Sequence, residues 1–193
     1  MVVLNLSIVN VALPAIRANF DAPADLMAWV ITVYMLPYVA MMPLYGRLGD
    51  ELGIRRMLVL GMGVFLLGTM VNVLSRSLPL LLVGRFIQGL GASGMAPLAI
   101  AMITEIFSVE TRGHALGRWN SIGPIASVTG SLVGGVIIDA LGWHFTFFVP
   151  MLAGIVAIVM VSRTVQSVEA PSQVRDLLTF DWPGVFLLSA TLA

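Results

Sequence analysis

The sequence predicts an all-α integral membrane protein, a bundle of six membrane-spanning helices followed by the start of a seventh. Its composition is the first reason: 59% of the 193 residues are hydrophobic, 10% are charged and the mean hydropathy is +0.99, whereas soluble domains carry about 25% charged residues. The second reason is a series of charge-free apolar runs near the length of about 20 residues that a membrane helix needs: Leu26–Gly46, Met57–Ser75, Phe86–Thr104, Trp119–Ile138 and Ala140–Ser162. These runs are apolar on every side and lack the alternation of a membrane β-barrel, so we predict helices.

Two shorter apolar segments lie at the ends of the sequence. Met1–Ile16 is short and has Pro14 near its end, and Trp182–Ala193 is free of charge throughout. We interpret both as helices cut through the middle, so the chain is expected to be a fragment. The expected domains are a six-helix bundle at 1–163 whose first helix is truncated, a cytoplasmic linker at 164–180 and the start of the next transmembrane helix at 181–193.

Arginine placement predicts the orientation in the membrane. If the loop at 47–56 is cytoplasmic, alternation of the spans puts seven arginines on that side and two on the other. The seven are Arg47, Arg55, Arg56, Arg112, Arg118, Arg163 and Arg175, and the two are Arg17 and Arg76. Because cytoplasmic loops carry an excess of basic residues, the sequence predicts a cytoplasmic N-terminus. The expected location of this multi-pass protein is the plasma or inner cell membrane.

A short internal repeat indicates how the spans are arranged. The pattern Gly-x-x-x-Asp-x-x-Gly occurs at 46–53, between spans two and three, and again at 135–142, between spans five and six. Spans two and five run in opposite directions, so the two copies are expected on opposite membrane faces. Inverted repeats are a signature of secondary transporters, whose substrate site lies at the repeat interface. The sequence therefore predicts two inverted three-helix repeats.

Arg85 is the most unusual residue of the chain, because no other charge lies between Ser77 and Thr104. At a bilayer centre an arginine costs about 2.5–3.5 kcal/mol on insertion scales, and such residues usually face a bundle interior or a water-filled cavity. We therefore predict a transport role for Arg85 and for Gln88, which lies three residues further on the same helical face. The alternative is structural: an arginine that satisfies backbone carbonyls of a neighbouring helix, with Gln88 joining two helices.

The turn between spans two and three is predicted to hold a charge latch, formed by Gly46, Asp50, Gly53, Arg55 and Arg56. Asp50 would pair with the arginines at a helix end, and the pairs would break and re-form as the halves of the protein rock. The glycines allow close approach and a tight turn. The alternative is a pure topology signal, which would require the arginines but not Asp50.

The fifth span is rich in residues that bend or thin a helix. Pro124 removes one backbone hydrogen bond, and Gly130 with Gly134 forms a small-xxx-small face that lets a second helix approach. Together with Gly135, these residues are interpreted as a hinge or as a tight seal against the opposite half of the protein. Ordinary helix packing is the alternative.

In their order and spacing, these motifs resemble the N-terminal half of a major facilitator superfamily transporter, most closely the fourteen-span drug:proton antiporter subfamily. The similarity covers essentially the whole chain. It rests on residues Ile8 to Pro14 of the first helix, Trp29 to Tyr34 and Pro43 to Gly46 of the second, Gly46 to Arg56 of the cytoplasmic motif, Gly84 to Gly91 of the fourth helix and Gly130 to Gly135 of the fifth.

The resemblance implies a secondary active transporter that exports drugs or other small amphipathic molecules by alternating access and is coupled to protons. It implies the N-terminal half of a major facilitator fold. The implied partners are therefore the substrate, protons, the lipid bilayer and a C-terminal half of the same chain. By the same resemblance, Arg85, Gln88 and Asn5 are the candidate transport and coupling residues.

Three positions depart from the pattern of the subfamily. An aspartate is usual where this chain has Asn5, and an amide cannot release a proton, so proton exchange at this position is excluded. A proline is usual at Ser131, and basic residues are common at Glu51 and Ile54. The fold assignment is unaffected. Two other functions stay open: a facilitator or differently coupled carrier of another small solute, and a non-transporting half-transporter.

Other classes of protein are disfavoured by composition. Ten basic and ten acidic residues give zero net charge, whereas a nucleic-acid partner would require a basic surface. With no cysteine and only two histidines, no metal site is predicted. No nucleophile, general base and orienting residue occur in a pattern typical of an enzyme, so neither enzymatic activity nor a cofactor is expected.

Overall fold

A computed structural model describes residues 1–164, which are almost entirely helical. The helices are α1 (Val2–Phe20), α2 (Ala24–Ala40), α3 (Met42–Leu52), α4 (Ile54–Val73), α5 (Leu78–Ala92), α6 (Met95–Ile106), α7 (Val109–Leu141) and α8 (Phe148–Thr164), with a short 3-10 helix at Trp143–Phe147 before α8. The prediction of an all-α fold is confirmed. The linker predicted at 164–180 lies, except for its first residue, outside the described residues, and so does the span predicted to begin at 181.

Five helical segments of the described chain are long and apolar enough to cross a membrane. They are Val2–Phe20, Ile54–Val73, Leu78–Ile106, Val109–Leu141 and Trp143–Arg163. A sixth span results if α2 and α3, which are bent by 42° at a short break, are counted as one segment. These segments follow one another in the predicted order, so the multi-span prediction is confirmed for this part of the chain.

The helices extend beyond the charge-free runs from which the spans were predicted. α5 begins at Leu78, so Arg85 lies inside it. α7 begins at Val109, ten residues before the run that starts at Trp119. Charged residues delimit these runs, whereas a helix continues wherever its backbone hydrogen bonds can be made.

Proline positions explain where two spans are broken. The α2–α3 break falls at Met41, two residues before Pro43, whose nitrogen has no hydrogen to donate to the helix. The α5–α6 break falls at Ser93 and Gly94, and Pro97 follows in the first turn of α6. Each of these two candidate spans therefore consists of two shorter helices.

The two copies of the repeated motif end in similar backbone turns at opposite ends of the bundle. Gly53 and Gly142 have φ of 95° and 93°, values that favour glycine, and each caps the preceding helix. Arg55, just after the first turn, contacts the end of α8. His144, just after the second, lies 3.0 Å from the carbonyl oxygen of Ser75, beyond the opposite end of α4. The repeat in the sequence thus marks corresponding turns of inverted orientation.

Two apolar clusters form the core of the described bundle. The first contains Val9, Ala12, Ile16, Ala22, Met27, Val30, Leu81, Trp143 and Phe147. The second contains Tyr34, Met57, Leu58, Met62, Phe65, Ala92, Met95 and Leu98. Arg85 and Gln88 lie on α5 between Leu81 of the first cluster and Ala92 of the second. The buried polar side chains of the candidate site are therefore located between two apolar layers.

Candidate functional site

Close packing of α4 against α5 brings the candidate site together. A Cβ added at Gly68 of α4 would lie 2.7 Å from Cα of Gln88 and 2.8 Å from the carbonyl oxygen of Gly84. A Cβ added at Gly84 or Gly91 of α5 would likewise overlap with atoms of α4. The glycines let the two backbones approach closely, so that polar side chains of the two helices meet.

Arg85 lies about 10 Å along α5 from its first residue, at 1.5 Å per residue, and its side chain is fully buried. Its Nε donates to the carbonyl oxygen of Val30 at 3.0 Å, and its Nη1 donates to Oε1 of Gln88 at 2.7 Å. The guanidinium carbon lies 4.2 Å from the ring centroid of Tyr34, a cation–π contact. Arg85 thus bonds a backbone carbonyl of α2 and also takes part in a network of buried polar side chains.

Gln88 is the centre of this network. Its Oε1 accepts hydrogen bonds from Arg85 and, at 3.1 Å, from Nδ2 of Asn72. Its Nε2 donates to Oγ1 of Thr69 at 2.8 Å and to Oδ1 of Asn5 at 3.3 Å. All of these side chains are fully buried. One amide therefore connects α1, α4 and α5, and Arg85 extends the network to α2.

The structure brings together all three transport residues predicted from sequence, Arg85, Gln88 and Asn5. Sequence reasoning missed Asn72 and Thr69, which contribute the α4 side of the network. These two residues lie three positions apart in an otherwise apolar helix. Polar residues recurring on one helical face were therefore the signal that could have identified them.

Four buried atoms of the network have no hydrogen-bond partner within residues 1–164: Nη2 of Arg85, Nδ2 of Asn5, the hydroxyl of Tyr34 and Oδ1 of Asn72. An unpaired buried polar group costs about 1–3 kcal/mol, so packing alone does not favour this arrangement. Its chemistry suits the binding or sensing of a charged or hydrogen-bonding group. Among the described residues, no cluster of three or more histidine, cysteine or acidic side chains could hold a metal ion.

The predicted latch residues lie at one end of the bundle but are not joined to one another by the contacts described. Gly46 lies within α3, Asp50 is exposed in its last turn, and Gly53 forms the turn that follows. Nη2 of Arg55 donates to the carbonyl oxygen of Ser162 at 2.6 Å, while Arg56 is exposed. In this conformation Arg55 therefore connects α4 with α8, and pairing with Asp50 stays a prediction.

The small residues of the fifth span pack within the bundle. A Cβ added at Gly130 would lie 3.0 Å from the carbonyl oxygen of Leu4, and one at Gly134 would lie 3.4 Å from Cα of Ile8. Both glycines therefore face α1. A Cβ at Gly135 would meet nothing within 4 Å, and α7 continues unbroken through the exposed Pro124. In this structure Gly130 and Gly134 make ordinary helix-packing contacts, the alternative to a hinge or seal.

Replacement of Gly130 by Ala is expected to weaken the α1–α7 contact, because the added methyl group would also lie 3.2 Å from Cβ of Ser7. Overpacking of this kind costs about 1–3 kcal/mol, so the melting temperature of the purified protein should fall. Gly135→Ala is the matched control on the same helix. Equal melting temperatures for the two variants would contradict the role of Gly130 in this contact.

Comparison with known proteins agrees with the motifs. The chain matches the family model of the Major Facilitator Superfamily over residues 1–190. It is 33% identical to an uncharacterized MFS-type transporter of Mycobacterium tuberculosis, over 98% of this chain and 32% of that protein. It is 30% identical to a riboflavin transporter of Clostridioides difficile, over 95% and 40% of the two chains. It is 31% identical to multidrug resistance protein 3 of Bacillus subtilis, over 87% and 32%.

The chain thus spans between 32% and 40% of the length of these relatives. Among solved structures, its fold is similar to that of an auto-inhibited POT family peptide transporter, with a TM-score of 0.60 over 89% of this chain and 38% of that one, at 16% identity. The names of these relatives describe transport and drug resistance rather than enzymatic reactions, as expected from the sequence. The family match covers nearly every residue, and the chain therefore belongs to the major facilitator superfamily.

Proposed function

We propose that the chain is the N-terminal, six-span half of a secondary active transporter that exports small amphipathic molecules in exchange for protons. Alternating access requires two halves rocking about a central site, so a C-terminal half of the same protein is a proposed partner. The other partners are the small-molecule substrate, protons and the lipid bilayer. The names of two relatives, a riboflavin transporter and a multidrug resistance protein, support this class and leave the substrate open.

The observation that carries the proposal is the buried network around Arg85 and Gln88. Ionisable residues inside membrane spans are rare and usually mark substrate or ion pathways. The network joins α1, α2 and α4 of the first three-helix repeat to α5 of the second. Since substrate sites of secondary transporters lie at the interface between repeats, the position of the network supports a transport role.

The basic residues support the proposed orientation. The contact of Arg55 with Ser162 shows that the start of α4 and the end of α8 share one end of the bundle. This end also carries Arg56, Arg163, the last residues of α3 and the turn at Gly53, and an arginine-rich end is favoured on the cytoplasmic side. A plasma or inner cell membrane location, a cytoplasmic N-terminus and a latch that re-forms during transport belong to this proposal.

A second function is favoured by one observation. Within residues 1–164 the network contains no carboxylate, and Asn5 cannot titrate, so no proton acceptor is evident at the site. A facilitator or a carrier coupled to another solute would not require one. A non-transporting half would keep the network as a structural element only.

Proton coupling is tested with the full-length protein in liposomes that hold the membrane potential at zero with potassium and valinomycin. Suitable probes share one ring system and differ in charge: naphthalene-1-sulfonate, naphthalene-1-sulfonamide and trimethyl(1-naphthylmethyl)ammonium. With one pH unit across the membrane, exchange of one proton per molecule would accumulate a probe up to about tenfold, because about 1.4 kcal/mol corresponds to a factor of ten. A protonophore is expected to abolish this accumulation.

Two other results have distinct meanings. If a probe equilibrates across the membrane without accumulating and ignores the protonophore, facilitated diffusion replaces proton exchange. If none of the probes moves faster than in protein-free liposomes, the transport proposal is contradicted for amphipathic molecules of this size.

A further inference from the structure

We infer that the molecule moved by this site carries a negative charge, such as a carboxylate or a sulfonate, an inference that rests on the proposed transport function. The starting point is the charge of the network. Arg85 contributes one positive charge, and its other members within residues 1–164 are the neutral side chains of Asn5, Tyr34, Thr69, Asn72 and Gln88.

None of the acidic side chains of the described chain belongs to the network around Arg85. All seven are found in the first or last turn of a helix or in the turn that follows it: Asp21, Asp25, Asp50, Glu51, Glu105, Glu110 and Asp139. The positive charge of Arg85 therefore has no carboxylate counterpart in this part of the protein. In apolar surroundings such a charge is weakly screened and acts over a longer distance than in water.

The unpartnered atoms of the network also favour an anion. Nη2 of Arg85 and Nδ2 of Asn5 are able only to donate, the hydroxyl of Tyr34 is able to donate or accept, and Oδ1 of Asn72 is able only to accept. Donors beside a positive charge match the oxygens of a carboxylate or sulfonate, to which guanidinium groups bond strongly. A cationic substrate would be repelled by the charge of Arg85.

Because Arg85 is fully buried, an anion can contact its donors during only part of the transport cycle. In this conformation the side chain has no exposed surface, so direct contact requires the helices to separate as the two halves rock. Before that, the charge attracts an anion in the neighbouring pathway through the electrostatic field alone. A preference between charges is therefore expected even for a substrate that contacts Arg85 only during part of the cycle.

Asn5→Asp is the variant that supplies the missing negative charge with the least change in shape. Oδ1 of Asn5 accepts the hydrogen bond from Gln88 at 3.3 Å, and its Nδ2 has no partner within residues 1–164. A carboxylate could keep the bond from Gln88 and accept another from the hydroxyl of Tyr34, which lies beside the Asn5 side chain. Asn5→Leu is the neutral control, which alters the network at the same position and adds no charge.

The test compares the three naphthalene probes in liposomes that contain the full-length wild-type protein or either variant, with the membrane potential held at zero. Wild type is expected to move naphthalene-1-sulfonate at least about tenfold faster than the ammonium probe, a ratio equivalent to about 1.4 kcal/mol. Asn5→Asp should reduce or reverse this ratio, and Asn5→Leu should retain the preference for the anion. Thermal unfolding of each purified protein with and without each probe provides a second measure of preference, and verifies that the variants are folded.

Outcomes separate this inference from the proposed function. Transport with a preference for the ammonium probe, or with no preference among the three charges, would overturn the anionic substrate and leave transport intact. An unchanged ratio in a folded Asn5→Asp protein would show that charge at this network does not select the substrate, and would also overturn the inference. Failure of wild type to move any probe would contradict the proposed function itself.

Discussion

Arg85→Met is expected to lower transport by the full-length protein about tenfold or more while its folded yield stays close to wild type. Methionine keeps an unbranched apolar side chain but removes the charge and the bonds to Val30 and Gln88. In the proposed mechanism the guanidinium also attracts and bonds an anionic substrate, and one hydrogen bond to a charged group is worth about 1.5–3 kcal/mol, which is enough for a loss of this size. Stability should change little, because the variant also removes a buried charge that has no acidic partner in the described network.

The measurement is the initial rate of probe movement per amount of folded protein, with folding checked by thermal unfolding. Arg85→Lys is the matched control for charge. It keeps the positive charge but replaces a planar fork of donors by a point charge, so an intermediate rate is expected. A wild-type rate in Arg85→Met would restrict Arg85 to a structural role.

Gly68→Ala should be among the most destabilising single-methyl additions in this chain. The new Cβ would lie 2.7 Å from Cα of Gln88 and 2.8 Å from the carbonyl oxygen of Gly84, and both are backbone atoms that cannot rotate away. α4 and α5 would have to move apart, which also pulls Gln88 away from Asn72 and Thr69. Overpacking costs about 1–3 kcal/mol in ordinary cores, and a backbone neighbour is expected to bring this variant to the upper end of that range or beyond.

Gly63→Ala is the control on the same helix, because a Cβ at this position has no neighbour within 4 Å. Alanine is favoured over glycine in a helix by about 0.5–1 kcal/mol, so Gly63→Ala should be neutral or stabilising. Melting temperature and monodisperse yield in detergent are the readouts. If Gly68→Ala and Gly63→Ala behave alike, the close α4–α5 contact is not what holds the network together.

Much of the site was predictable because a charged residue inside an apolar membrane span is rare. A single arginine in a long apolar run stands out on any hydropathy scale, and Gln88 follows from its spacing of three residues. Asn5 entered through resemblance to a family motif rather than through its own chemistry. Asn72 and Thr69 carry no charge and belong to no recognised motif. Their spacing of three residues on an apolar helix was the one local signal, and it does not identify their partners.

The glycines of the fifth span also show that a local pattern does not identify its partner in the fold. The pattern at 130–135 predicts that another helix approaches closely, but spacing cannot say which one. The structure shows that this helix is α1, which contributes Leu4 and Ile8 to the contact. Charge-free runs also do not mark where helices end. The runs stop at charged residues, whereas α3 and α7 end at glycines with positive φ and the α2–α3 break lies next to a proline.

By itself, the sequence determined the membrane class, the order of the spans, the arginine asymmetry and the two glycine turns, because composition and short-range geometry specify these features. Only the tertiary structure decided that side chains from α1, α4 and α5 meet at Gln88, that Arg85 joins them to α2, and that four polar atoms of the network lack a partner within residues 1–164. The physical reason is distance along the chain. Asn5 and Gln88 are 83 residues apart, and their contact depends on how closely glycines let several helices pack, which no local pattern encodes.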